Sequence, residues 1–142
     1  MRIGDLLTGK GSVVHTIAPT ASVTDLLAVL AGRNVGAVVV GEEGRVDGIV
    51  SERDVVRRLH DRGPTILDGP VSDVMTSVVV TCRAGDDVET LTVLMTEKRV
   101  RHVPVVDDAG TLSGIVSIGD VVKSRIDQLE EDRQQLEAYI AQ

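Results

Sequence analysis

Two serine–aspartate pairs, Ser51–Asp54 and Ser117–Asp120, are the residues of this chain best placed to do chemistry. Each lies in a copy of one short phrase, GIVSERDVV at Gly48–Val56 and GIVSIGDVV at Gly114–Val122, with seven of nine letters shared. A hydroxyl followed three residues later by a carboxylate has the form of a capping box. In that motif each side chain accepts a hydrogen bond from the other residue's backbone N–H at a helix start. The same placement suits a ligand, because a helix N-terminus offers unpaired N–H groups and a positive dipole end to an anion or polar group. Both readings stand at this level.

Other chemistry finds little support. There is no G-x-S-x-G, no P-loop and no Cys–His pairing at a catalytic spacing, so the chain reads as non-catalytic. His15, His60 and His102 show no metal-type spacing to one another or to Cys82, which argues against a metal. The single cysteine has no CxxC partner and reads as a small buried hydrophobe. A net charge of −7 opposes nucleic-acid binding, which needs a basic surface. The near absence of aromatics (Tyr139 alone) removes the stacking platforms of single-strand binders. No apolar run reaches the roughly 18–20 residues that span a bilayer, and the start MRIGDLLTGK lacks the apolar centre of a signal peptide. The expectation is a cytoplasmic protein with no membrane or nucleic-acid partner.

The elements that must position these pairs come as a repeat. VGAVVVGEEGRVDGIVS lies over VRHVPVVDDAGTLSGIVS, with one extra residue in the second turn. PTASVTDLLAVL lies over AGDDVETLTVLM at an offset of 65, and IGDLLT over VSDVMT at an offset of 68. The units are residues 1–63 and 70–123, joined by a linker at 64–69, with a helical extension at 124–142. In each, a β-branched run (VVHTI, SVVVTC) predicts a strand. Ser22 and Asp87 predict N-caps, with helical apolar spacing after them. Two further strands then read as a hairpin around GEEG or DDAG, and a second helix follows Ser51 or Ser117. About 60 residues make too small a core alone, so the two units are expected to pack their sheets together.

These residues resemble a tandem cystathionine-β-synthase (CBS) domain pair, also called a Bateman module. The likeness rests on the G-h-h-S-x-x-D ending of each unit and the VxxVPVVDDAG hairpin, and it covers the chain to about Lys123. It implies an α/β (α+β) fold of two β-α-β-β-α units with pseudo-two-fold symmetry and a long C-terminal helix. It also implies a regulatory, stand-alone module that binds an adenine nucleotide or other adenosyl ligand, requires no cofactor for catalysis, and often forms a flat homodimer. On that resemblance the Ser and Asp hold ribose, the carboxylate matching both hydroxyls of a cis-diol. Aliphatic side chains and backbone groups sandwich the adenine.

The two copies differ around the phosphates. Arg101 and His102 precede the second hairpin where the first has Gly36 and Ala37, and in some relatives charged residues there contact phosphate. The resemblance implies one site built from Ser117, Asp120, Arg101 and His102, lined by Lys10, Ser12, Val14 and His15 from the other unit. A second would use Ser51 and Asp54 with Arg53, lined by Ser77, Val79 and Thr81. The plain alternatives are a solvated hairpin edge for Arg101 and His102, and an exposed helix face for Arg53, Arg57 and Arg58.

Beyond Asp120 no Gly or Pro interrupts the chain. Val122, Ile126, Leu129, Leu136 and Ile140 form a narrow stripe, with Arg133 at the sixth place, which suits helix–helix contact. A dimer strut is favoured over an arm folded along its own module. Two functions compete: a sensor of adenosyl ligands that signals to an unknown regulated protein, and a dimeric scaffold whose clefts are vestigial.

Overall fold

In a computed structural model of the protein, residues 1–11, 14–77 and 80–141 are described. Helix α1 (Ile3–Lys10) leads into β1 (Thr16–Ile17), α2 (Val23–Arg33), the hairpin β2 (Ala37–Val40) and β3 (Gly48–Ser51), and α3 (Glu52–Arg62). After two short 3₁₀ turns the order repeats: α4 (Val88–Lys98), the hairpin β4 (His102–Val106) and β5 (Leu112–Ser117), and α5 (Ile118–Ala141). In the first unit β1 runs parallel to β2, and β2 antiparallel to β3. In the second, Cys82 makes the matching parallel bridge to Val105 beside the β4–β5 hairpin. Of the strand expected at Ser77–Cys82, only Cys82 is bridged among the described residues, and Val78 and Val79 lie outside them.

Local sequence explains the helix boundaries. The Ser22 hydroxyl accepts from the Asp25 N–H at 3.0 Å, and α2 buries Val23, Leu26 and Leu30 on one face. Helices α2 and α4 end at equivalent residues, Asn34 and Arg99, both left-handed with φ of 52° and 55°. Asp87 sits at the N-cap of α4 as expected, yet its side chain makes no capping bond. The first N–H of α4, on Val88, donates to the Met1 carbonyl, as that of α2, on Val23, donates to the Gly69 carbonyl. The extra residue of the second hairpin is absorbed as a bulge: Val105 pairs with Gly114 and Val106 with Leu112, which leaves Ser113 out of register.

Most of the buried residues form two clusters, and each crosses the boundary between repeats. Ile3, Leu6 and Leu7 from α1 join Val88, Leu91, Met95, Val103, Val105 and Val116 of the second unit. Val71 and Val74, at the start of the second unit, join Val23, Leu26, Leu30, Val38, Val40 and Val50 of the first. Ile66 packs there too, so the segment expected as a linker also fills core. The two units are thus joined by the exchange of their first segments. Backbone bonds repeat the exchange: Arg2 bridges Asp87 as Pro70 bridges Ser22, and the Ile3 N–H reaches the Asp86 carbonyl as the Val71 N–H reaches that of Ala21. Such sharing lets two units, each too small alone, each complete a core. Among the described residues no helix is long and apolar enough to cross a membrane.

Candidate functional site

Both Ser-x-x-Asp pairs form closed capping boxes. At the start of α3 the Ser51 N–H donates to Asp54 Oδ2 at 2.8 Å, and the Asp54 N–H donates to Ser51 Oγ at 3.2 Å. The Ser51 hydroxyl also donates to Asp54 Oδ2, at 3.0 Å. At the start of α5 the Ser117 N–H donates to Asp120 Oδ2 at 2.8 Å, and the Asp120 N–H to Ser117 Oγ at 3.1 Å. The capping reading is correct as far as it goes. It does not exhaust the carboxylate, because among the described residues both bonds to the Asp54 carboxylate fall on Oδ2. Oδ1 keeps two lone pairs, enough for two vicinal hydroxyls on one atom. Oδ2 already takes two donors, the Ser51 N–H and the Ser51 hydroxyl.

The ladders fix what faces each cap. Ser117 is paired with His102 across β4–β5, as Ser51 is paired with Ala37 across β2–β3. The first N–H of each helix reaches the strand before that partner: Ile118 donates to the Arg101 carbonyl at 2.8 Å and Glu52 to that of Gly36 at 3.0 Å. Arg101 and His102 therefore do lie beside the second cap, Arg101 exposed and His102 half-buried. The His102 ring lies close to Gly36, where an added Cβ would come within 3.6 Å of its Cε1.

The other walls come from the exchanged segments. Thr76 pairs with Ile49 in both directions, which sets the exposed Ser77 alongside the strand that ends at Ser51. Thr81 is exposed just before the Cys82 bridge, and Arg53 is exposed on α3. Asp120 opens on a cleft of about 300 Å³ shared with Asp5, Leu6 and Gly9 of α1 and Lys123 of α5. Arg101, His102, Val14 and His15 are not in its lining. Val14 and His15 are half-buried ahead of β1. Ser12 and Val79 lie outside the described residues, as does the side chain of Lys10. Among the described residues no group of three metal-ligating side chains comes together.

Reading the sequence for side-chain chemistry missed two glycines that shape these walls. A Cβ on Gly48 would lie 2.7 Å from both Met75 Sδ and the Thr76 carbonyl oxygen, and one on Gly114 would lie 2.9 Å from Leu7 Cδ2. Leu7 and Met75 are themselves equivalent, 68 residues apart. The available signal was a glycine inside a strand, which marks close approach by another part of the chain.

Cys82 is buried, and its sulfur lies 3.7 Å from the Pro104 carbonyl. Burial pushes its thiol up from 9.0 to about 12, and the carboxylate of Asp86 adds to that.

Comparison with known proteins agrees with this geometry. The CBS domain family model matches residues 10–61 and 71–127. The chain is 38% identical over 124 residues to the CBS domain-containing protein CBSX3, mitochondrial, of Arabidopsis thaliana, covering 84% of this chain and 60% of that protein. It matches the crystal structure of the CBS-domain containing protein ATU1752 from Agrobacterium tumefaciens with a TM-score of 0.84 and 42% identity, over 88% of this chain and 99% of that one. The CBS domain protein PAE2072 from Pyrobaculum aerophilum, solved as a complex with AMP, matches with a TM-score of 0.74 and 30% identity, over 84% and 89% of the two chains. With two capped hairpin–helix units, exchanged starts and both repeats matched, the chain belongs to the CBS-domain family as a tandem pair.

Proposed function

We propose that this CBS pair is a non-catalytic sensor of an adenosyl ligand of the AMP, ADP or ATP type, which passes its bound state to a regulated protein. The observation that carries the reading is Asp54, held half-buried at a helix start by a capping box on one oxygen, with the other oxygen lacking a partner among the described residues. A ribose diol on that oxygen, close to the positive end of α3, replaces water without disturbing the cap. Ser117 and Asp120 form the second capping box, and Arg101 and His102 beside it add side-chain donors for phosphate. The complex of the Pyrobaculum protein with AMP supports the ligand class. The protein works as a cytoplasmic homodimer, with neither membrane nor nucleic acid as a partner. Coupling to its target is reciprocal, so a target that prefers the liganded form tightens ligand binding.

Thermal unfolding followed by calorimetry, with and without AMP, ATP, NAD and S-adenosylmethionine, tests the reading. A ligand specific to the folded state at a hundredfold excess over its Kd stabilises by about 2.7 kcal/mol. Arg101→Ala should reduce the shift for AMP and ATP more than that for adenosine. No shift with any of these compounds would leave an interaction scaffold as the function.

A further inference from the structure

The second half of α5 is exposed among the described residues. Every residue from Leu129 to Ala141 is exposed, a free length of about 20 Å. Leu129, Leu136, Tyr139 and Ile140 stand 52% to 75% exposed along it. At the other end of the same helix, α4 and α5 enclose a groove of about 500 Å³, lined by Val88, Thr92, Ile118, Val121, Val122 and Arg125. One chain thus presents an exposed apolar helix end and an open groove.

We propose that α5 pairs antiparallel with α5 of a second copy, about a two-fold axis level with Glu131, and that each helix end enters the α4–α5 groove of the other. The register follows from the stripe. That axis sets Val122 against the partner's Ile140, Ile126 against the partner's Leu136, and Leu129 against the partner's Arg133, so all six stripe positions find a counterpart. It also brings Tyr139, the chain's only aromatic, to the partner's Arg125 on the groove wall, where the guanidinium and ring can stack. On the opposite flank it brings Lys123 to the partner's Glu137. Glu130 and Asp132 then face their own copies near the axis, and the two Arg133 guanidinium groups lie beside them.

A parallel pair does worse with the same residues. It sets Arg133 against its own copy within the apolar seam and brings Asp132 to the partner's Glu137. The same surface then serves both subunits, as a closed two-fold interface requires. The pairing does not depend on any ligand.

Sedimentation of the full chain without nucleotide should give the mass of a dimer. Lys123→Glu and Glu137→Lys should each raise the dissociation constant about tenfold, and the double variant Lys123→Glu/Glu137→Lys should bring it back. Far-UV circular dichroism checks that each variant folds. Separately, Val122→Cys and Ile140→Cys proteins are mixed and oxidised. A disulfide between the two different variants is expected, with buried Cys82 taking no part. A wild-type monomer, a double variant no tighter than the singles, or a disulfide formed by Ile140→Cys with itself in place of the mixed one would each overturn the proposal.

Discussion

Leu7 lies over Gly114, and a Cβ at that glycine would come 2.9 Å from Leu7 Cδ2. The equivalent glycine is tighter, because Gly48 faces the Thr76 carbonyl at 2.7 Å as well as Met75. A leucine tip can turn away, whereas the Thr76 carbonyl is held by the Ile49 N–H at 3.0 Å. Gly48→Ala should therefore cost about 2–3 kcal/mol of stability and Gly114→Ala nearer 1 kcal/mol. Urea unfolding of the two variants tests the order, and an equal or reversed effect would contradict this packing.

The exchange of first segments predicts long-range damage from a change near the start of the chain. Ile3 is fully buried among residues of the second unit. Ile3→Ala should cost about 2–5 kcal/mol. Hydrogen exchange should show lost protection first in β4 and β5, not in β2 and β3. Loss confined to the first unit would count against the exchange.

Cys82 gives the protein an alkaline limit. Its folded thiol titrates at about 12 and the unfolded thiol at 9.0, because burial and then Asp86 oppose the thiolate. A pKa raised on folding means that the unfolded state releases its proton first. The stabilisation is complete below pH 9 and is lost as pH rises towards 12. Cys82→Ala should flatten the fall in melting temperature over that interval. In the native protein a thiol-directed reagent should react with Cys82 only at the rate of opening.

Asp54 serves the cap through Oδ2, so the ligand test must separate the two roles. Asp54→Ala removes the acceptor for the Ser51 N–H and should cost about 1 kcal/mol. Asp54→Asn keeps an acceptor oxygen for that N–H and should cost less. If the carboxylate grips the ribose, both variants lose ligand affinity about equally, as read by titration calorimetry. If Asp54 only caps, affinity is unchanged in both.

Much of the architecture was legible because it rests on local rules. The Ser22 cap, the two hairpins, the repeat offsets and both capping boxes follow from residue type and spacing within a few positions. Asp87 shows where such rules stop: its type and position suit a cap, yet its side chain makes no capping bond. Ile66 shows the same limit, since its Pro/Gly surroundings mark a linker while the first core takes up its side chain.

Periodicity and repetition within the sequence determined the elements, their twofold recurrence and the two carboxylates at helix starts, since those features depend on near neighbours along the chain. Tertiary structure decided which repeat each first segment completes, what faces each carboxylate and why Gly48 and Gly114 carry no side chain. Those outcomes depend on contacts between residues well separated along the chain, as Gly48 is from Met75 and Leu7 from Gly114, where the chain's own alphabet carries no local mark of the partner.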